Sequence, residues 1–521
     1  MSGHLFVVRG DLTHLACDAI LVPSGTNAQG RRGETSWDVP GLRRNAEGLV
    51  IGAPTGASRV ARISEPSREA PGIWLGHTGE EGHEPVEWFV TAIERFIRAA
   101  GSARRPGPRP LADDRPLLGV PLVGIGRGGR AGDKGEVVEA VVSAAATAAA
   151  LRDVDVTLVV REASEYSAVQ QARTGLGHDL WGDISAPLRM RAADLGHRAR
   201  SGGLVTFMGA GTGIGAGLPG WTDLLDRLAR DAGMTGADRK AVGKLDSRDA
   251  AAVIERRLVS QGIDLCAAIE PLVTSSHVSL MHQLLASLPV NEAVTTNYDT
   301  LFEQAWRDAG HTSHVVLPDQ SAQGAPAWLL KLHGSIGAGR AVVLSRDDYL
   351  RFEGEGVALA GIVQAMLLTR HMLFVGYSLS DDNFHRLVHQ VRRAVGPADA
   401  RPESKPFGTA LAPGPPSLVS DLWAGDIDVV NVGGSSGPRE VARLIDLIGA
   451  EAEGGSAHMV DDAYTSVLSA DERALRAALL EVRSAAARPG VRSPFRVAVE
   501  DALDSLGSAA RQTEPSGDRV G

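Results

Sequence analysis

Six glycines fall within the fifteen residues FMGAGTGIGAGLPGW, Phe207 to Trp221. A helix or strand interior does not hold glycine at that density, because each one costs backbone entropy and brings no side chain to pack. The stretch is therefore a loop, and its flanks say of what kind. The apolar run LVTF precedes it and DLLDRLAR, with helical periodicity, follows. Strand, glycine turn and helix in that order make the geometry in which backbone N–H groups at a helix start meet a pyrophosphate, and the relaxed dinucleotide spacing fits as Gly211-x-Gly213-x-x-Ala216. A plain tight turn would have the same composition. The strand ending in an acid that usually comes next is not evident; the stretch up to Glu292 reads as helical, including DAAAVIERRLVSQ and VSLMHQLLASL.

Three later segments repeat one pattern, a short apolar run closed by glycine or a polar residue. TTNYDTLFE places Asn297 and Asp299 directly after an apolar strand, LLKLHGS does the same with His333, and FVGYSLSDDNF adds a glycine-bearing strand end. In a parallel sheet the crevice lies at these carboxyl ends, so four strand ends would converge on one site. Turn and capping roles are the ordinary alternative for the Asn and Asp residues, and Asp381 and Asp382 read as caps of the helix that follows them.

GAGTGIGAGLPGW, TTNYD, KLHGS and FVGYSLSDDN, in that order, resemble the sirtuin-like domain of bacterial NAD-consuming defence proteins, over residues 190 to 450. The resemblance implies NAD as substrate. Gly209, Ala210 and Gly211 would cradle the pyrophosphate and adenosine side, and Pro219 and Trp221 would close over the nicotinamide end. Asn297 would hold the ribose and order the attacking water, with Thr296 beside it; Asp299 would touch the carboxamide, His333 would be the base, and Gly376 and Ser378 would line the adenosine ribose. The chemistry agrees. Nicotinamide is a cationic leaving group, so its departure needs a stabilised oxocarbenium-like state and a positioned nucleophile more than an acid, and a neutral His is a suitable base near neutral pH.

Sirtuin deacylases resemble the same half but carry zinc on four cysteines. This chain has two cysteines, Cys17 and Cys266, without paired spacing, so no zinc is expected and neither is a disulfide framework. Water is then the simpler nucleophile, and NAD hydrolysis to nicotinamide and ADP-ribose is the expected reaction. NAD-dependent protein deacylation and a non-catalytic nucleotide-binding sensor are the alternatives, and formation of a cyclised product stays open.

VRGDLTHLACDAILVPS, Val8 to Ser24, resembles the opening of macro domains, with Asp11 as the adenine contact; LVGIGRGG supplies Gly124, Gly126, Gly128 and Gly129 as phosphate candidates. The match is partial, since the segment after the second strand reads Val22 to Asn27 in place of an asparagine-rich one. The resemblance implies an ADP-ribose-like or cyclic-nucleotide ligand there, and a switch that restrains a toxic NADase; a domain that only packs or oligomerises is the alternative. The expected architecture is α/β throughout. A macro-like α/β/α unit (1–187) precedes a Rossmann-like, parallel-sheet sirtuin-like domain with a helical insertion (188–452) and a helical extension with a disordered tail (453–521). At 521 residues with a formal charge of −10, a nucleic-acid role is disfavoured, since phosphate-backbone binding needs concentrated basic surface. Without a basic leader or a run of about eighteen apolar residues, the expectation is a soluble, cytoplasmic chain, not bound to a membrane. The resemblance to the defence proteins implies a role in antiviral defence through NAD depletion, and a homo-oligomer is expected.

Overall fold

Short apolar runs become strands where glycine or a polar residue stops them, and they assemble into two mainly parallel sheets. The computed structural model describes residues 2–27, 29–54, 58–79, 84–125, 132–176, 180–337, 342–396, 405–433, 436–454, 456–504 and 506.

The first sheet contains β1 (Leu5–Arg9), β2 (Ala19–Thr26), β3 (Arg32–Glu34), β4 (Val60–Ser64), β5 (Gly72–Gly79), β6 (Leu117–Pro121) and β7 (Asp155–Val160). Its order is β1-β7-β6-β2-β5-β4, with β3 paired to β2. Among the described residues only β3 and β4 run antiparallel to their partners. Both faces are covered, and side-chain alternation shows by what. Leu5 and Val7 pack among Phe89, Ile93, Val138 and Val142, on helices Val86–Ala100 and Lys134–Arg152. Phe6 and Val8 point the other way and share a cluster with Leu195, Leu284 and Ile445. Those residues belong to helices Ala186–Arg200, Leu280–Ala286 and Gly437–Ala452, all of which follow the first sheet in the chain. The N-terminal sheet thus completes its core with helices of its neighbour.

Polar groups stitch the same seam. Buried Asp446 accepts from Arg173 Nη1 at 3.1 Å and from the Val7 N–H at 3.2 Å, and lies 2.9 Å from His4 Nε2. Arg439 reaches Asp155 through Nε at 2.8 Å and Nη2 at 2.7 Å. A burial this deep requires such pairing, because an isolated charge there would cost several kcal/mol (about that order).

The second sheet contains β8 (Leu204–Met208), β9 (Glu292–Thr295), β10 (Val315–Leu317), β11 (Trp328–Lys331), β12 (His371–Val375), β13 (Gly408–Pro413) and β14 (Ile427–Val432). All are parallel, in the order β10-β11-β9-β8-β12-β13-β14. The chain leaves β8 toward β9 and later returns to its other side as β12, so the topological switch point lies over the carboxyl end of β8. Between β8 and β9, helices Trp221–Asp231, Gly236–Val242, Ser247–Ser260 and Leu265–Ile269 form a small core of their own that closes on Tyr298 and Leu344. Helices Ala470–Ala486 and Ser493–Asp504 pack on each other near the C-terminus. No single helix among the described residues is long and apolar enough to cross a membrane.

Candidate active site

After β8 the chain turns through a 3-10 helix, Ala210–Ala216, and stops at Gly217 in the left-handed region (φ 92°). The glycines here are explained first by the neighbouring loop. A Cβ at Gly209 would lie 2.6 Å from Gly376 O, and one at Gly211 would lie 2.7 Å from Gly376 Cα. Gly376 itself has φ 64°, and a Cβ on it would stand 2.5 Å from the Thr212 nitrogen. The two loops are in backbone contact, joined by Gly211 N–H donating to Gly376 O at 2.9 Å. Ala210 and Gly211 line the cleft; Gly209, expected beside them, does not, and meets the site through its carbonyl, which accepts from Asn297 Nδ2. The Gly211 N–H is therefore already engaged, and any phosphate contact from it would have to compete with that bond.

The cleft at the switch point has a volume of about 570 Å³, within the range of sites that enclose a small ligand. Pro219, Trp221, Thr296, Asn297, Asp299, His333, Gly376 and Ser378 line it together with Ala210 and Gly211. Asn297 is fixed from below: its Nδ2 donates to Gly209 O and to Thr212 Oγ1, each at 3.1 Å, and its own N–H donates to Thr295 Oγ1 at 3.0 Å. Both amide hydrogens being engaged, the side-chain carbonyl is the end left for a ligand. Asp299 is buried and accepts from the Leu301 N–H at 3.0 Å, starting helix Leu301–Asp308. Burial raises its carboxyl above the usual range, against the pull of the Lys331 ammonium.

His333 follows β11 and is 2 % exposed. Burial lowers its pKa, and Asp381 alone opposes this, so the ring is neutral near pH 7 and can accept a proton. Its Nε2 is sealed from solvent without a hydrogen bond and lies 3.6 Å from Asp381 Oδ2. Tyr349 stands edge-on to the ring, with centroids 5.6 Å apart. Beyond β12, Gly376 makes the close approach to the glycine loop, and exposed Ser378 Oγ lies 2.6 Å from Ser380 Oγ. Trp221 is half-buried at the start of its helix and Pro219 is buried.

Some of the lining was not singled out in the sequence. Tyr349 and Arg248 sit on helices Arg346–Glu355 and Ser247–Ser260, and nothing local marks them. Arg248 pairs with Asp246 (Nη2 to Oδ2, 2.9 Å) and with Asp382, linking the helical insertion to the turn after β12 across the rim. Asp381 is the helix cap expected of it, accepting from the Phe384 N–H at 3.1 Å, and it also lines the cleft.

In the N-terminal sheet, Asp11 and Gly124 lie at the same carboxyl edge, with β7 between their strands. Asp11 caps the turn Leu12–His14, accepting from Thr13 N at 2.9 Å and Thr13 Oγ1 at 2.7 Å, and pairs with Arg161 Nη2 at 2.6 Å. Gly124 has φ 87°, and a Cβ there would meet the Phe89 ring at 2.7 Å. Gly126, Gly128 and Gly129 lie outside the described residues. Among the described residues no group of three or more His, Cys, Asp or Glu could hold a metal ion.

With this geometry in place, comparison with known proteins adds the following. Residues 291–425 match the SIR2-like domain family. The matched range holds Asn297, Asp299, His333, Gly376 and Ser378 and begins after the glycine loop. The chain is 30 % identical to the NAD(+) hydrolase ThsA of Enterococcus faecium over 196 residues, 37 % of this chain and 40 % of that protein. It is 26 % identical to Defense-associated sirtuin 2 of Bacillus subtilis over 208 residues, 37 % of this chain and 20 % of that protein. It is 24 % identical to ThsA of Bacillus cereus (strain MSX-D12) over 192 residues, 36 % of this chain and 40 % of that protein. The matched regions thus span less than half the length of these relatives. A solved chain from work on the mechanism and regulation of Sir2 enzymes aligns at 16 % identity over 52 % of this chain and 98 % of that one, with a TM-score of 0.30, too distant a likeness to carry an argument.

Proposed function

We propose that this chain hydrolyses NAD to nicotinamide and ADP-ribose in the cleft over β8, and that the activity serves bacterial defence by depleting NAD. The observation that carries the reading is the convergence of Asn297, with both amide hydrogens engaged on the glycine loop, and neutral, buried His333 on one cleft of about 570 Å³. The names of the relatives, NAD(+) hydrolase and defence-associated sirtuin, support the same reaction and setting.

In this reading the close contact of Gly209, Gly211 and Gly376 leaves room for the pyrophosphate and adenosine ribose, with Ser378 at the rim, and Pro219 and Trp221 cover the nicotinamide end. Asp299, whose carboxyl burial favours the protonated form, donates to or accepts from the carboxamide. The C1′–N bond breaks with its electron pair passing to the ring nitrogen, so nicotinamide leaves neutral. The Asn297 carbonyl orients water toward C1′, and the proton that water loses passes to His333. ADP-ribose, nicotinamide and one proton are the products. Substituting the base is expected to cost about 100-fold or more.

We assign the units as a macro-like 1–187, a sirtuin-like 188–452 and a helical 453–521, the first taking an ADP-ribose-like or cyclic-nucleotide ligand that relieves restraint on the second. Support for such coupling is the seam itself: a Cβ at Gly215, in the glycine loop, would lie 2.4 Å from the carbonyl of Pro110 in the N-terminal region.

The test is nicotinamide release from NAD by the full chain without acyl peptide, for wild type, Asn297→Ala and His333→Ala, with ADP-ribose-type ligands added in parallel. Release by wild type and its loss in both variants is expected. Release that required an acyl peptide would replace hydrolysis by deacylation, and NAD binding with no release under any condition would favour a sensor.

A further inference from the structure

Asp381 has both carboxylate oxygens committed in different directions. Oδ1 accepts from the Phe384 N–H at 3.1 Å, the ordinary bond of a helix cap. Oδ2 accepts from Tyr349 Oη at 2.7 Å and faces His333 Nε2 at 3.6 Å. That nitrogen is buried and unpartnered, which is costly for a polar atom unless a partner comes within reach. A displacement of about 0.7 Å would bring the pair to hydrogen-bond length, and such contacts are often long in free enzymes and tighten with substrate. His333 Nδ1, by contrast, is not among the buried unpartnered atoms, although the residue lines the cleft. A cap alone requires one oxygen, and needs neither the tyrosine nor the histidine.

We infer that Asp381 is the positioning residue of His333: anchored by Phe384 and Tyr349, it fixes the Nε2–H tautomer, so that Nδ1 carries the lone pair that takes the proton of the attacking water. The inference rests on the hydrolase reading above for the identity of that water. The arrangement is the one by which a carboxylate orients an imidazole base and stabilises its protonated form. Other groups near the ring do not compete for this role. Tyr349 meets it edge-on from helix Arg346–Glu355, and Tyr298, after β9, gives its hydroxyl to Val343 O at 2.7 Å. Tyr377, after β12, is half-buried, its ionisation pushed well up by desolvation and by Asp381. Arg248 lies over the Tyr349 ring and is paired with Asp246 and Asp382.

Asp381→Asn is the informative variant, because asparagine caps a helix as well as aspartate and so keeps the fold while removing the charge. The expected result is a kcat for nicotinamide release lower by about 10- to 100-fold with KM little changed. The sign of the pH effect follows from the two influences on His333. Burial lowers its pKa and Asp381 raises it. Removing the carboxylate therefore moves the acidic limb of the kcat profile to lower pH. Tyr349→Phe keeps the carboxylate and leaves Oδ2 to His333 alone, so its limb is expected not to follow that of Asp381→Asn to lower pH. A loss of kcat with no movement of the limb, or a raised KM alone, would overturn the inference in favour of a structural or substrate-contacting role. Independently of activity, ring 15N shifts of labelled histidine, with His333 assigned by its loss in His333→Gln, should report Nε2–H in wild type and an altered tautomer balance in Asp381→Asn. An Nδ1–H tautomer in wild type, or identical titration in the two proteins, would also overturn it. If wild type releases no nicotinamide, the hydrolase reading fails while the 15N result still decides the His333–Asp381 pairing.

Discussion

Lys331 shows how one buried charge can hold a loop of this site. Its ammonium, on a side chain 1 % exposed, bonds Glu303 Oε1 at 2.9 Å and the backbone carbonyls of Tyr298 (3.3 Å) and Asp299. It thereby ties β11 to the segment that carries Asn297 and Asp299. Lys331→Met would remove all three bonds and leave the Glu303 carboxylate buried and unpaired. The expected cost is about 3–5 kcal/mol, seen as a lowered Tm. Adding Glu303→Leu should recover most of that stability, since a buried pair replaced by apolar groups is often neutral, yet not the nicotinamide release, because the loop is still untied. An unchanged Tm in the single variant would sink the argument. Asn297, Asp299 and His333 were readable in the sequence because each comes directly after an apolar strand. Tyr349 and Arg248 were not, since only tertiary closure of the helical insertion brings their helices to the rim, and Asp381 showed only its local, capping half.

At the level of elements, the site depends on two loops in backbone contact, and two glycines separate that contact from simple turn strain. Gly376 (φ 64°) would place a Cβ 2.5 Å from the Thr212 nitrogen, whereas Gly217 (φ 92°) has nothing within 4 Å of such an atom. Gly217→Ala should therefore cost only the conformational term, about 1–2 kcal/mol. Gly376→Ala adds a backbone clash that must part β8 from β12, so a larger fall in Tm and loss of nicotinamide release are expected. Equal effects of the two substitutions would show that the contact does not matter. The strands that flank this contact were legible as continuous apolar runs, LVTFM and HMLFV. β13, GTALAP, and β5, GIWLGHTG, were not, because glycine, alanine and proline give weak strand signals and burial between neighbours decides them. The helix Val86–Ala100 was likewise not read from the sequence.

For the molecule as a whole, the shared core has a consequence that composition could not reveal. Phe6 and Val8 of the first sheet and Leu284 and Ile445 of the second half belong to one cluster, so the two sheets should unfold together in one calorimetric transition. Its acid dependence follows from histidines buried neutral. Burial lowers His282, His371 and His458 to about 4, and lowers His4 despite its bond to Asp446. Below pH ~6.5 the unfolded chain protonates these rings and the folded one does not, so stability is complete above ~6.5 and falls as pH drops toward 4, by up to about 1.4 kcal/mol per pH unit for each fully buried ring. His14 acts in the opposite sense, since its bond to Asp308 raises its pKa, but it is partly exposed and counts for less. Asp446 does not join the loss in this window: burial alone would raise its carboxyl, yet Arg173 and His4 hold it below the usual carboxylate range. Calorimetry should thus give one transition whose Tm drops from about pH 7 to about pH 5, with a shallower slope in His282→Gln. Two resolved transitions would show that the seam does not couple the halves, and a flat Tm over that range would show that these rings are not neutral in the folded protein.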